Sequence, residues 1–277
     1  MPAKIPLELG PIQRTLLLPL WGRAAESRKA KPLLVDHSAM ELVRKIDYDF
    51  AALAAGLNPA SQFGWIARSI QSDRIIRRFL EQYPNGAVVN LGCGLDTTLD
   101  RVDNGSLYWY DLDLPDVIAL RRELLPERPR VRLIAGSFLD ETWWNEIRPA
   151  NGVLFVAAGL LYYFDPDTIR AFLRRLAARF LGAELIFDGC SPLGLKLAKR
   201  MVLRDGGMDD SLVLKWGFQN ARSLEDWDPR LQLVEQFSVF RKVGQDLSVR
   251  TRLRIAISGL LKIMFMVHLR FLEKGTD

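Results

Sequence analysis

Residues 88–96 read VVNLGCGLD, and this stretch decides the fold. A short apolar run is typical of a buried β-strand, and the two glycines that follow it predict a tight turn into a helix. Glycine lets the backbone come close to a ligand, and the N-terminus of a helix offers unpaired N–H groups. The stretch therefore predicts a strand, a turn and a helix that hold a ligand at the turn.

The segments on both sides continue this alternation of strand and helix. Further strands are predicted at 107–110, 131–135, 152–157 and 183–187, with helices at 115–125 and 166–180. This alternation favours a parallel sheet covered by helices on both faces. Residues 1–60 and 66–83 are predicted to be helical, and two last strands, at 231–240 and 263–272, to form an antiparallel edge.

Two acids at the end of the second strand indicate what the turn binds. Asp111 and Asp113 lie 19 and 21 residues after Gly92, where an acid can accept hydrogen bonds from the hydroxyls of a ribose. A dinucleotide site would have a third glycine where this chain has Thr97. Asp96 would repel a pyrophosphate but suits the ammonium of an amino-acid tail. The turn favours S-adenosylmethionine over NAD; a dinucleotide site and a ligand-free turn remain the alternatives.

Composition excludes several classes of protein. The chain has 277 residues, of which 49% are hydrophobic, 26% are charged and only 2 are cysteines. These values exclude collagen-like, disordered, coiled-coil and disulfide-scaffold proteins and suit a globular protein with a large core. Cys93 and Cys190 lie far apart without a neighbouring histidine, so both are expected to be reduced and half-buried. No HExxH motif or Cys/His cluster indicates a metal site.

The net charge of +5 is concentrated in one segment. Residues 241–277 hold eight basic and three acidic residues, so the first 240 residues are balanced. Arg250, Arg252 and Arg254 occupy alternate positions, which a strand would place on one face and a helix would spread. The first 240 residues contain no basic motif with interleaved aromatic residues, so no nucleic-acid partner is expected.

Hydrophobicity along the chain predicts no membrane span. The first ten residues lack the apolar segment of a secretory signal. The longest apolar stretch, 257–269, is short and is interrupted by Lys262 and His268. The sequence therefore predicts a cytoplasmic protein.

Several stretches together resemble one known family. They are TLLLPLWGRAAES at 15–27, IDYDF at 46–50, VNLGCGLDT at 89–97, WYDLDLP at 109–115, the pair Arg121 and Arg122, AGS at 135–137 with Asp140, and the pair Trp143 and Trp144. This combination resembles the leucine carboxyl methyltransferase family and, within it, the bacterial tetracenomycin-type polyketide O-methyltransferases. The resemblance spans residues 15–190 and is weaker toward the end of the chain.

The resemblance implies an architecture that agrees with the predicted elements. It is an α/β fold, a class I, Rossmann-like S-adenosylmethionine-dependent methyltransferase sheet with a helical N-terminal extension and an inserted lid. On this chain the extension covers residues 1–85 and the donor-binding core 86–190. The lid covers 191–226, and C-terminal strands at 227–277 complete the sheet.

The resemblance also implies which residues bind the donor, S-adenosylmethionine. Carried onto matching positions, they are Arg23, Arg68, Gly92, Gly94, Asp96, Asp111, Asp113, Ser137 and Phe138. Arg68, with Arg23, would hold the methionine carboxylate, Asp113 the ribose, and Phe138 would border the adenine. One departure concerns the fourth strand, where the family commonly has a glutamate and this chain has Ala158.

A small-molecule acceptor is expected, and its chemistry follows from the missing base. A carboxylic acid is already ionised at pH 7, whereas a phenol benefits from a base. Neither His37 nor His268 lies in a motif, so a carboxylic acid giving a methyl ester is favoured over a phenol. Tyr162 and Tyr163 are candidates to line the acceptor pocket, with core packing as the alternative.

The predicted lid helix carries Lys196, Lys199, Arg200 and Arg204 at helical spacing. This group, Arg200 among them, is a candidate to receive an anionic acceptor, and a solvated helix face is the alternative. Two other functions remain open: a nucleoside-binding or regulatory protein that transfers no methyl group, and an enzyme that uses the sulfonium for other chemistry. The sequence leaves a monomer and a homodimer open.

Overall fold

The computed structural model describes residues 4–7, 13–148, 151–205, 214–244 and 249–273. The strands are β1 (Ile5–Pro6), β2 (Ile46–Asp47), β3 (Ala87–Leu91), β4 (Tyr108–Asp113), β5 (Val131–Ala135), β6 (Val153–Ala157), β7 (Glu184–Gly189), β8 (Leu231–Ser238) and β9 (Phe265–Phe271). The α-helices are α1 (Leu17–Ser27), α2 (His37–Lys45), α3 (Phe50–Gly56), α4 (Pro59–Gln82), α5 (Thr98–Val102), α6 (Pro115–Leu124), α7 (Pro166–Arg179), α8 (Pro192–Asp205) and α9 (Val249–Leu260).

Seven strands form the main sheet, in the order β5-β4-β3-β6-β7-β9-β8. The first five strands in this order, β5, β4, β3, β6 and β7, are mutually parallel. Strand β9 lies between β7 and β8 and is antiparallel to both. The predicted parallel sheet with an antiparallel edge is therefore confirmed. Because β3, β4, β6 and β7 are parallel, their carboxyl ends meet at one edge of the sheet, where an α/β fold binds its ligand.

Helices cover both faces of the sheet. On one face α4 packs Ile75, Ile76 and Phe79 against Val88 and Trp109 of the central strands. On the other face α7 packs against β3 and β6, together with the buried rings of three tryptophans and several phenylalanines. The core on both sides explains why β3 is buried at every position and reads as an almost continuous apolar run.

The long helix α4 begins at Pro59, seven residues before the start that the sequence predicts for it. The side chain of Asn58 accepts a hydrogen bond from Ala60 N at 2.9 Å, and Pro59 occupies the first turn, where its missing N–H costs nothing. Helices α1, α2 and α3 form a second apolar cluster with α6. The N-terminal helices are thus packed against the sheet domain through α6.

Three predictions need correction or completion. Residues 249–260 form helix α9, so the strand that the alternating arginines allowed is not formed. The paired strands β1 and β2, joined through Ile5 and Ile46, were not predicted. Cys93 and Cys190 are free, as predicted, but buried rather than half-buried, at 3% and 7% exposure.

The predicted lid falls only partly within the described residues. Helix α8 and a 3-10 helix at Ala221–Trp227 belong to it, whereas 206–213 lies outside the described part, as does the side chain of Arg204. Trp143, Trp144 and Trp216 are buried in the core. None of the described helices is long and apolar enough to cross a membrane.

The two thiols should be inert in the folded protein. Burial is the largest cause of the raised pKa of Cys93, which lies well above its ordinary value. Burial, with a smaller contribution from the Asp188 carboxylate, raises the pKa of Cys190 to about 12. Because the thiolate is the reactive form, we expect labelling by an aromatic disulfide at about pH 8 to be slow for both. Denaturant should expose both, and fast labelling of the native protein would contradict this burial.

Candidate active site

The glycine turn lies at the carboxyl end of β3. Gly92 and Gly94 have φ values of +61° and +49°, a region that L side chains rarely adopt. A Cβ atom on Gly92 would also come within 2.7 Å of a methyl carbon of Leu160. Glycine is therefore favoured at 92 by its backbone conformation and by the close approach of the Leu160 side chain.

Asp113, at the end of β4, faces this turn. Its carboxylate accepts hydrogen bonds from Gly94 N at 2.7 Å and from Leu114 N at 2.8 Å. Burial raises the pKa of Asp113, while these two backbone N–H groups act in the opposite direction. The structure thus places Asp113 beside the turn, at the edge where the sequence predicts a ribose.

Asp111 is held differently, although it lies only two residues earlier. It is buried and forms an ion pair with Arg121, and it accepts hydrogen bonds from Trp109 Nε1 at 2.8 Å and Asn90 Nδ2 at 3.2 Å. Its carboxylate is therefore occupied by contacts within the protein. These contacts favour a structural role for Asp111 behind the turn.

Arg121 of α6 supports the turn from behind. Its Nη1 donates to the carbonyl oxygens of Gly94 at 2.8 Å and Asp96 at 2.9 Å, while Nη2 binds Asp111. Burial alone would lower the pKa of Arg121, but the neighbouring acids raise it above its ordinary value. The guanidinium thus stays charged and fixes two backbone oxygens of the turn.

Asp96 lies two residues before helix α5. Its carboxylate accepts hydrogen bonds from Thr98 N at 3.1 Å, Thr98 Oγ1 at 2.9 Å and Asn90 Nδ2 at 3.3 Å. Burial raises the pKa of Asp96, but Arg23 and Arg101 outweigh it, so that the pKa falls below its ordinary value. Asp96 is therefore an ionised group at the helix N-terminus, where a carboxylate is stabilised.

Arg23 joins the N-terminal helices to the same turn. It is 4% exposed, and it donates to Asp36 Oδ2 at 3.0 Å and to the carbonyl oxygen of Leu95 at 2.9 Å. Asp36 also binds Arg101 of α5. The side chain of Arg23 is thus committed to the wall of the turn, and its predicted contact with the methionine carboxylate remains a prediction.

Arg68 of α4 reaches the carboxyl ends of β6 and β7. Its Nη1 donates to Asp188 Oδ2 at 3.0 Å and lies 3.4 Å from the hydroxyl oxygen of Tyr162. The second oxygen of Asp188 accepts from Gly159 N at 2.5 Å. Burial would lower the pKa of Arg68, but Asp188 raises it above its ordinary value. A charged guanidinium and a carboxylate therefore stand together at the ligand edge.

The space around this pair explains another glycine. A Cβ atom on Gly159, which has a φ of +80°, would come within 2.6 Å of Nη1 of Arg68. Glycine at 159 is what lets the guanidinium lie directly against the loop after β6. Asp188 was not predicted as a site residue, and the signal that could have found it was an acid at the end of a buried strand.

The remaining predicted donor residues follow β5. Phe138 is 6% exposed and makes edge contacts with the rings of Phe164 and Phe172 at 4.9 and 5.0 Å between centroids. Ser137 accepts a hydrogen bond from Leu139 N at 3.2 Å. Both residues lie in the loop that leaves the sheet beside Asp113, since Gly136 N donates to the carbonyl oxygen of Asp113.

Of the acceptor candidates, the two tyrosines lie together and Arg200 lies elsewhere. The rings of Tyr162 and Tyr163 are 5.0 Å apart between centroids, and Tyr162 also contacts Arg68. Lys215, within the predicted lid segment, donates from its backbone N to the carbonyl oxygen of Tyr162 at 2.7 Å. Arg200 is exposed on α8. The structure therefore brings the tyrosines, but not Arg200, to the Arg68 and Asp188 pair.

A cavity of about 310 Å³ lies on the far side of the turn, between α5, α6 and β5. Asp96, Asp111 and Arg121 are among its lining residues. No motif in the sequence predicts this cavity. Within the described residues, no three acids, histidines and cysteines lie close enough together to hold a metal ion.

The comparison with known proteins decides the family. Residues 17–177 match the sequence profile of leucine carboxyl methyltransferases. The chain belongs to this family. It is 35% identical over 235 residues to the tetracenomycin polyketide synthesis O-methyltransferase TcmP of Streptomyces glaucescens, covering 84% of this chain and 85% of TcmP. It is 28% identical over 249 residues to the S-adenosyl-L-methionine-dependent methyltransferase dpfgK of Gibberella zeae, covering 82% of each.

Solved structures share the fold of this methyltransferase family member at low identity. A crystal structure of a candidate methyltransferase from Thermobifida fusca superposes with a TM-score of 0.61 at 16% identity, covering 91% of this chain and 94% of that one. A protein of the duf574 family from Streptomyces avermitilis gives 0.58 at 13% identity, covering 92% and 97%. The class I, Rossmann-like methyltransferase fold predicted from the sequence is therefore confirmed.

Proposed function

We propose that the protein transfers a methyl group from S-adenosylmethionine to an oxygen atom of a small acidic acceptor, a polyketide-like carboxylic acid. The observation that carries the proposal is the buried pair of Arg68 and Asp188, held at the ligand edge of a methyltransferase sheet beside the glycine turn. The 35% identity to a polyketide O-methyltransferase supports the choice of oxygen and of the acceptor class.

The residues at this edge fit the donor in charge and in shape. The donor has a carboxylate, an ammonium, a ribose and an adenine, and the edge offers a cation, two acids and an apolar loop. In this proposal Arg68 binds the methionine carboxylate, Asp113 accepts from the ribose hydroxyls, and Phe138 borders the adenine. Gly92 and Gly94 allow the backbone to lie close to the bound donor.

Asp188 supplies the carboxylate that Ala158 lacks. The family commonly has a glutamate at 158, and here the neighbouring N–H of Gly159 donates to Asp188 instead. An acid at this point balances the charge of Arg68 and attracts the ammonium of the donor. We therefore assign to Asp188 the role of orienting Arg68 and the amino-acid tail of the donor.

Methyl transfer requires the protein mainly to align the donor and the acceptor. The donor supplies an electrophilic methyl carbon, and transfer is an in-line displacement that needs a dry pocket and close alignment. A carboxylate acceptor is already ionised at neutral pH. The chain then needs to orient the acceptor oxygen and to exclude water, without removing a proton.

The two tyrosines do not serve as bases near neutral pH. The pKa of Tyr162 lies well above its ordinary value, and burial is the largest cause. The Asp188 carboxylate raises this pKa further, whereas the Arg68 guanidinium lowers it. Burial likewise raises the pKa of Tyr163. Both hydroxyls therefore stay protonated and are available to donate a hydrogen bond to an acceptor carboxylate.

With S-adenosylmethionine saturating, we expect kcat/KM for a carboxylic acid acceptor to be constant between about pH 6.5 and about pH 8.5, because the acceptor stays a carboxylate and both tyrosines stay protonated there. The measurement is initial rate against pH with a single acid, with S-adenosylhomocysteine formation as the readout. With an acid that also carries a phenol, a tenfold rise per pH unit would indicate that the phenol must lose its proton to react, and would contradict the carboxylate assignment.

The acceptor class is tested by product chemistry. Purified protein is incubated with S-adenosylmethionine and a panel of aromatic carboxylic acids and phenols, and the products are identified by mass spectrometry. The proposal expects a product whose methyl group is lost in mild base, as in an ester. A base-stable methyl ether contradicts the carboxylic acid. Binding of S-adenosylhomocysteine without turnover of the panel favours a regulatory protein, the alternative that Ala158 suggests.

A further inference from the structure

Exposed apolar side chains are concentrated on two helices remote from the glycine turn in sequence. Of 13 large apolar side chains that are exposed among the described residues, seven lie in α8 or in residues 249–261. Val249, Leu253 and Leu260 are 80%, 61% and 84% exposed, values unusual for side chains of this size. We define these two segments together as the α8/α9 surface.

The exposed positions of α9 form a stripe. Val249, Leu253, Ile257 and Leu260 are separated by four, four and three residues, which places them on one side of a helix. The other side is turned toward the protein, because a Cβ atom on Gly259 would lie 3.4 Å from the hydroxyl oxygen of Ser238 on β8. The apolar side of α9 therefore faces outward.

Helix α8 continues the same surface. Ser191, directly before α8, donates from its backbone N to the carbonyl oxygen of Lys262 at 2.9 Å and from Oγ to that of Leu261 at 3.0 Å. The start of α8 thus touches the end of the α9 segment. Leu193 and Leu197, four residues apart on α8, are 45% and 36% exposed.

The two segments of the α8/α9 surface are also rich in basic residues. Residues 192–205 and 249–262 contain eight lysines and arginines and one acid, Asp205. Lys196, Arg200 and Arg252 are exposed. An apolar stripe with many cations and almost no acids matches an anionic lipid surface, where apolar side chains enter the boundary of the acyl chains and cations meet headgroup phosphates.

We propose that the α8/α9 surface binds the face of an anionic lipid bilayer, with α9 lying along the membrane plane. The positive charge of this surface discriminates between three possible binding partners. A second copy of this chain would bring two basic surfaces together, which is repulsive. A nucleic acid would satisfy the cations but leave the apolar stripe in water. A lipid bilayer with anionic headgroups satisfies both, and the protein is peripheral to it.

The test is co-sedimentation of the full-length protein with vesicles, which requires no methyl transfer. The protein should bind vesicles of phosphatidylcholine with phosphatidylglycerol and should bind pure phosphatidylcholine much more weakly. High salt should weaken binding to the anionic vesicles. The double variant Leu253→Gln/Ile257→Gln should lose at least about tenfold in partition coefficient, and Arg252→Gln about fivefold.

Matched controls keep the result decisive. Leu181→Gln removes an apolar side chain that is 50% exposed outside this surface, and it should bind vesicles like the wild type. All variants should keep the affinity for S-adenosylhomocysteine and the circular dichroism of the wild type. Absence of binding to anionic vesicles, or equal binding of all variants, overturns the proposal. A dimer that the Leu253→Gln/Ile257→Gln variant dissociates, without vesicle binding, also overturns it and assigns the surface to self-association.

Discussion

Replacing Arg68 by methionine should weaken the binding of S-adenosylhomocysteine by about 2 to 4 kcal/mol, or roughly 30-fold to 1000-fold. In the proposed site Arg68 is the cation that meets the methionine carboxylate, and it is buried, where the loss of a charged partner costs most. Isothermal titration calorimetry measures the affinity directly and is independent of the acceptor.

The Arg68→Met variant needs a control for the loss of the ion pair with Asp188. Methionine at 68 leaves Asp188 buried without its cation, which by itself destabilises the fold. The double variant Arg68→Met/Asp188→Asn removes both charges, and we expect it to recover thermal stability but not donor affinity. Arg170→Met, on the exposed face of α7, is the matched neutral change. Unchanged donor affinity in a folded Arg68→Met variant would contradict the assignment.

Replacing Arg121 by methionine should lower the free energy of unfolding by about 3 to 5 kcal/mol. Asp111 would lose the partner of its buried charge, and the carbonyl oxygens of Gly94 and Asp96 would lose their hydrogen bonds. Urea unfolding followed by circular dichroism measures this loss. Donor affinity should fall as well, because the turn is no longer held from behind.

The double variant Arg121→Met/Asp111→Asn separates the two effects. It removes the unpaired charge while keeping the hydrogen bond from Trp109, so its stability should lie closer to the wild type than that of Arg121→Met. Donor affinity should remain low, because the two carbonyl oxygens are still unsupported. A double variant with wild-type donor affinity would show that Arg121 does not position the turn.

The sheet could be predicted because its signals are local. Each central strand is a short apolar run ended by glycine or acid, and the helices between them begin at prolines, such as Pro115 and Pro166. Patterns of this kind depend only on neighbours in the sequence. The glycine turn could be predicted for the same reason, since Gly92 and Gly94 adopt the positive φ angles that glycine tolerates.

The charged pairs around the turn could not be predicted in this way. Asp188 lies 120 residues from Arg68 in sequence, and only the folded sheet brings them to the same edge. Asp111 and Asp113 look equivalent in sequence, yet one pairs with Arg121 behind the turn and the other faces Gly94. Asp111 and Asp113 lie on the same face of β4, so their different roles depend on partners from distant elements.

Helix α9 shows why a short sequence pattern does not decide between a strand and a helix. Residues 249–255 alternate arginines with other side chains, as an exposed strand would, while the apolar positions of 249–260 also fit a helical spacing. Both periods are present in so short a segment, and tertiary contacts decide between them. The close approach of Gly259 to Ser238 at the end of β8 is a tertiary feature that only the folded chain supplies.

A crystal structure of the protein with S-adenosylhomocysteine tests the account most directly. It should show the ribose hydroxyls at Asp113, the carboxylate of the amino-acid tail at Arg68 and the adenine beside Phe138. A ligand bound in the cavity between α5, α6 and β5, or one bound at the turn with its carboxylate away from Arg68, would contradict the proposed donor site.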